Sequence, residues 1–175
     1  MRLFLSWKHI ISLCCVLVYL SSSLAHATVV PKQHRLLIIN SYNEGAPWSQ
    51  TLITPIMLQT SSIEDVNADL VHINGTFIRN DSLYNQMEEG IFQRYERNKP
   101  DYLVLIGSIA FTLRDRIQKE WGDIPMVLIA NEDTYAPREY YFTGRSKNME
   151  DNTVAPLNDI REQYNFTFIE APDMY

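Results

Sequence analysis

Three short polar segments hold the side chains with which this chain could do chemistry. They are Ser41-Tyr42-Asn43-Glu44-Gly45 with Trp48 just beyond, Gly107-Ser108, and Asn131-Glu132-Asp133. Hydroxyls, amides, carboxylates and an aromatic ring suit recognition of a small molecule, which needs a few oriented polar groups around an apolar surface. Each residue also has a structural use. Ser41 and Asn43 suit the capping of a following helix, Trp48 suits packing beneath it, and Ser108 suits the capping of the next. An exported hydrolase or transferase would draw on Glu132 or Asp133 with Ser41. Adjacent loop carboxylates specify no reaction without an activated nucleophile or a metal beside them. Glu88-Glu89 falls in a helical stretch and reads as a solvated face. His34 and His72 belong to no metal-ligand spacing, and no phosphate loop, dinucleotide glycine fingerprint, nucleophile elbow or zinc-protease helix occurs. No catalytic residue, metal or cofactor is therefore expected.

The elements that must position these segments alternate. Leu36-Leu-Ile-Ile is a continuous apolar run, the pattern of a strand covered on both faces, and the first polar segment follows it directly. A helix is expected from Trp48 to about Ser62, kinked or restarted at Pro55. A weaker, alternating strand is expected near Leu70–Ile73. From Ser82 the residues Leu83, Met87, Ile91 and Tyr95 recur at helical spacing, and that helix should end near Asn98, before Lys99-Pro100. Tyr102–Ile106 reads as a buried strand ended by Gly107. One helix should follow, with Ala110, Leu113, Ile117 and Trp121 as its apolar face and Gly122 as its stop. Met126–Ile129 is the next strand. Beyond Asn131 the pattern loosens, with Tyr140–Thr143 and Phe166–Ile169 as short strand candidates.

This alternation predicts an α/β fold, a three-layer Rossmann-like lobe with a mostly parallel sheet, built from right-handed crossovers. Covering both faces requires successive crossovers to run to opposite sides of the first strand, so the expected strand order is 2-1-3-4. All three polar segments then fall at the carboxyl ends of strands, where ligands of open α/β sheets bind. The start of the helix after Gly107 would also offer N–H groups to an anion.

Composition narrows the function classes. Fifteen Lys and Arg against 21 Asp and Glu give a net charge of −6, with no basic stripe, which argues against a nucleic-acid partner. Arg2 and Lys8 precede an apolar run over Ile10–Leu20, and Ala25-His26-Ala27 offers small residues before a cut, so residues 1–27 read as a signal peptide. The apolar run is shorter than the ~20 residues of a spanning helix. Both cysteines, Cys14 and Cys15, lie in that leader, so the exported product would hold neither disulfides nor thiolate sites. Leu13, standing before Cys14 where a lipidation site needs a small residue, argues against a lipoprotein anchor.

Leu37-Ile-Ile-Asn-Ser-Tyr-Asn-Glu-Gly-Ala-Pro-Trp-Ser49, Lys99-Pro-Asp-Tyr-Leu-Val-Leu-Ile-Gly107 and Trp121-Gly-Asp-Ile-Pro-Met-Val-Leu-Ile129 together carry a resemblance. The chain from His34 to Tyr175 resembles the extracytoplasmic sensor region of bacterial hybrid two-component histidine kinases. Those regions are similar to substrate-binding proteins of ABC transporters, with the type I periplasmic-binding fold of two Rossmann-like lobes. The resemblance implies that residues 28–175 are the N-terminal lobe of a periplasmic ligand sensor. Its partners would be an unidentified small molecule, a second lobe, and downstream membrane and kinase modules. Nothing in this sequence corresponds to those modules, so a fragment without kinase activity is expected. The resemblance also implies that Ser41, Tyr42, Glu44, Trp48, Gly107, Ser108 and Glu132 face the ligand cleft. A free substrate-binding protein serving a permease is the alternative of the same fold.

Overall fold

The structure is a computed structural model that describes residues 33–142 and 154–171. The signal peptide expected over residues 1–27, with Cys14 and Cys15, lies outside the described residues. Strand β1 (His34–Asn40) sits at the middle of the fold for a reason legible in its side chains. Leu37, Ile38 and Ile39 are all buried, so neither face of the strand tolerates water. It pairs in parallel with β2 (Val66–His72) on one side and β3 (Tyr102–Ile106) on the other, with Ile38 opposite both Leu70 and Val104. Strand β4 (Met126–Ala130) continues the sheet from β3. The order β2-β1-β3-β4 is that expected of a doubly wound sheet, and the fold is an α/β Rossmann-like lobe.

The alternation of side chains along the strands divides the interior in two. Leu37, Ile39, Leu103, Leu105 and Leu128 face a larger core beneath helix α2 (Asp81–Tyr95) and helix α4 (Arg114–Trp121). Ile38, Val104, Ile106 and Ile129 face a smaller core closed by Ile53 of helix α1 (Pro47–Ser61). Helix α1 runs through Pro55 without stopping. In α2 the buried stripe is Tyr84, Ile91, Phe92 and Tyr95, whereas Leu83, expected to face the core, is 41% exposed. Asn80 caps that helix, its Oδ1 accepting from Leu83 N at 2.9 Å.

Two expectations need correction. The helix after Gly107 is two pieces, α3 (Ser108–Phe111) and α4, joined at a tightened turn where Leu113 N donates to Ala110 O at 3.2 Å. Thr112 drives the break, its hydroxyl bonding back to Ile109 O at 2.6 Å and reaching Tyr84 OH at 2.7 Å. The apolar face survives, because Ala110, Leu113 and Ile117 are all fully buried and Trp121 nearly so. Tyr140 and Tyr141 lie in helix α5 (Arg138–Phe142), where a strand was expected; Thr143 falls outside the described residues. Between β4 and α5 stands the two-residue strand β5 (Thr134–Tyr135), paired antiparallel with β6 (Ala155–Pro156). The short strand expected at Phe166–Ile169 is found as β7 (Phe166–Glu170), which pairs in parallel with β4 and completes a five-stranded sheet. Among the described residues no helix is long and apolar enough to cross a membrane.

Candidate functional site

At the end of β1 the buried amide of Asn40 organises the chain. Its Oδ1 accepts from Tyr42 N at 3.3 Å, which fixes the amide's orientation. Its Nδ2 then donates to Ser49 Oγ at 3.3 Å and to His72 Nδ1 at 2.9 Å, so the His72 proton sits on Nε2. One side chain thereby ties the turn to α1 and to the end of β2.

Ser41 follows, 4% exposed. Its N–H extends the ladder to Ile106 O at 2.8 Å, and its carbonyl accepts from Gly75 N at 2.8 Å. Its hydroxyl oxygen accepts from Ala110 N at 2.8 Å. Ala110 is the third residue of α3, the position whose N–H an N-cap side chain normally serves. Gly107 occupies the N-cap and has no side chain to offer, so Ser41 supplies the cap from a neighbouring strand. Gly107 must be glycine here: its φ is +83°, and a Cβ would lie 2.9 Å from Ser41 Oγ and 2.9 Å from Tyr42 Cε2. Two expectations change as a result. Ser108 is the first helical residue, not the cap. Of the N–H groups that the helix start was expected to offer an anion, that of Ala110 is taken by Ser41.

Above this packed layer the carboxyl ends of β1, β3 and β4 open into a cleft of ≈ 510 Å³. Its floor is Tyr42, Gly107, Ser108 and the Asn131-Glu132 segment, and its wall is Thr134 with Tyr140 and Tyr141 of α5. Thr134 Oγ1 donates to Glu132 Oε2 at 3.2 Å, orienting the carboxylate. Burial pushes the Tyr141 phenol up from its ordinary value, against a hydrogen bond with Ser108 and another with the backbone of Ala136. Helix α5 is held in place by Arg138, which donates to Glu139 Oε1 at 3.1 Å and to Asn85 Oδ1 at 3.0 Å on α2, and lies over the Tyr84 ring at 5.1 Å.

Of the seven residues expected at the site, Tyr42, Gly107, Ser108 and Glu132 meet in the cleft. Ser41 lies beneath it as a cap. Trp48 is one step removed, its ring meeting the edge of Tyr42 at 5.1 Å. Glu44 is exposed in the turn, where its carbonyl accepts from Gln50 Nε2 at 2.7 Å. Asp133 does not line the cleft; its carbonyl accepts from Leu157 N at 2.7 Å. Thr134, Tyr140 and Tyr141 were missed, the tyrosines because an aromatic run reads as a strand. Pro137, directly before Arg138, was the available signal for a helix start.

A second, smaller hollow of ≈ 190 Å³ lies at the opposite edge of the sheet, among Arg35, Asp69 and Arg94. Three of its polar groups are committed to one another: Asp69 accepts from Tyr95 OH at 2.9 Å and faces Arg94 at 3.6 Å. Among the described residues no group of three His, Cys, Asp or Glu side chains is placed to hold a metal ion. No protein-family model, curated protein or solved structure matches the chain.

Proposed function

We propose that this domain is a non-catalytic small-molecule-binding lobe, the extracytoplasmic sensor module of a two-component histidine kinase, and that its ligand sits in the cleft at the carboxyl edge of the sheet. The observation that carries the binding reading is the convergence of Tyr42, Ser108 and Glu132, from the ends of three parallel strands, on one cleft walled by tyrosines. Polar groups fixed by a rigid sheet around aromatic surface are what small-molecule recognition requires. The sensor role, export to the periplasm and a second lobe closing over the ligand rest on the leader and on the resemblance carried by the Leu37–Ser49 and Trp121–Ile129 segments. A free binding protein of a transporter would use the same cleft in the same way. The hydrolase reading is weakened because Ser41, its nucleophile, is buried and engaged as a helix cap.

The test is a thermal-shift screen of the full chain against neutral sugars, amino acids, dicarboxylates and amines, repeated with Tyr42→Ala. A compound that raises the melting temperature of the parent and not of the variant supports the reading. Stabilisation that Tyr42→Ala leaves unchanged moves the site elsewhere.

A further inference from the structure

We propose that the cleft selects a small organic cation, a ligand presenting a primary or quaternary ammonium group; the inference rests on the cleft being the ligand site. Among the described residues that line it, Glu132 is the only one with a formal charge. Thr134 holds one oxygen of that carboxylate, and a carboxylate accepts several hydrogen bonds, so it retains capacity for a ligand donor. Tyr42, Tyr140 and Tyr141 line the same cleft. Aromatic faces carry negative potential and attract an ammonium group. Their orientations are set by edge-to-face pairing, Tyr42 on Trp48 at 5.1 Å and Tyr140 on Tyr141 at 5.4 Å.

The alternatives fit the same lining less well. An anionic ligand would face Glu132 with no cation in the lining to offset it. A neutral polyol would satisfy the hydroxyls but leave the carboxylate's charge unanswered, whereas a charge-assisted hydrogen bond is about twice as strong as a neutral one. Arg114, a largely covered cation, lies outside the lining, its guanidinium over Tyr135 at 5.0 Å and Phe111 at 5.1 Å. The chain's net charge of −6 favours the approach of a cation.

Calorimetric titration of the full chain with choline, n-butylammonium and choline's uncharged carbon isostere tests this, in the parent, Glu132→Gln and Tyr42→Ala. At least one cation should bind roughly tenfold tighter than the isostere. Glu132→Gln should cancel that preference with no change in melting temperature. Equal binding of cation and isostere, weakened together by Tyr42→Ala, would overturn the cation inference and leave the cleft as the ligand site. Binding indifferent to both substitutions would sink the two readings together. If neither cation binds at millimolar concentration, the inference is wrong, and the thermal-shift screen judges the cleft separately.

Discussion

Gly107→Ala would force a Cβ to within 2.9 Å of both Ser41 Oγ and Tyr42 Cε2, on a backbone conformation that L residues rarely adopt. We expect a loss of roughly 3 kcal/mol, read by urea denaturation. Ser41→Ala would leave the buried Ala110 N–H without its acceptor and should cost about 1–3 kcal/mol. A Ser41→Ala variant of parental stability would show that the hydroxyl is not a cap. Both residues were singled out from sequence as ligand contacts, and serine's aptitude for caps was noted with them. That Ser41 caps a helix distant in sequence was not legible, because capping patterns in a sequence run within a few residues of one helix. Tyr84 makes a further residue-scale test. Burial, partly offset by its bond with Thr112, pushes its phenol from 10.0 up to about 12. A phenol with a raised folded value keeps its full contribution below pH 10.0 and loses it as pH climbs towards 12. Stability should therefore fall by roughly 3 kcal/mol across that window, and Tyr84→Phe should flatten the dependence.

At the scale of elements, the tie between α2 and α4 is the point the sequence reading undervalued. Glu88-Glu89 reads as a solvated face, yet Arg116 of α4 meets Glu88 at 3.4 Å and Glu89 at 2.7 Å, and Glu120 on its own helix at 2.7 Å. Its guanidinium also lies 4.4 Å from the Phe92 ring centroid. Arg116→Met should cost about 1–2 kcal/mol, and added salt should shrink that cost, because methionine keeps the packed stem and loses the ion pairs; a neutral variant in denaturant titration would reduce the network to surface decoration. Elements with strong periodicity were legible: β1, β3 and β4 carry continuous apolar runs, and α4 keeps its predicted stripe. Tyr140–Tyr141 and Phe166–Ile169 were not separable, since both are short aromatic runs. Strand preference reflects fit to a pleated neighbour more than an intrinsic backbone bias. Phe166 and Phe168 find that neighbour along β4, with Phe166 packed 5.2 Å from the Phe111 ring, whereas Tyr140 and Tyr141 follow Pro137 into a helical turn.

For the whole molecule, the strand order followed from the need to cover both sheet faces, and the location of the cleft followed from the strand order. The pairing of the fifth strand with β4 and the tyrosine wall came from the loosely patterned stretch beyond Asn131, where a short strand at Phe166–Ile169 was legible but its partner was not. The proposed signal peptide makes its own prediction: a mature protein that begins at Thr28; N-terminal sequencing that finds Met1 retained would contradict export by cleavage. The claim on which the account turns is that the cleft at the carboxyl edge is where the ligand binds. Amide chemical-shift mapping tests it most directly, following the full chain through titration with the compound that stabilises it most in the thermal-shift screen. The account predicts that the largest shifts fall on Tyr42, Gly107, Ser108, Asn131 and Glu132. Shifts concentrated instead around Arg35, Asp69 and Arg94, at the opposite edge of the sheet, would contradict it.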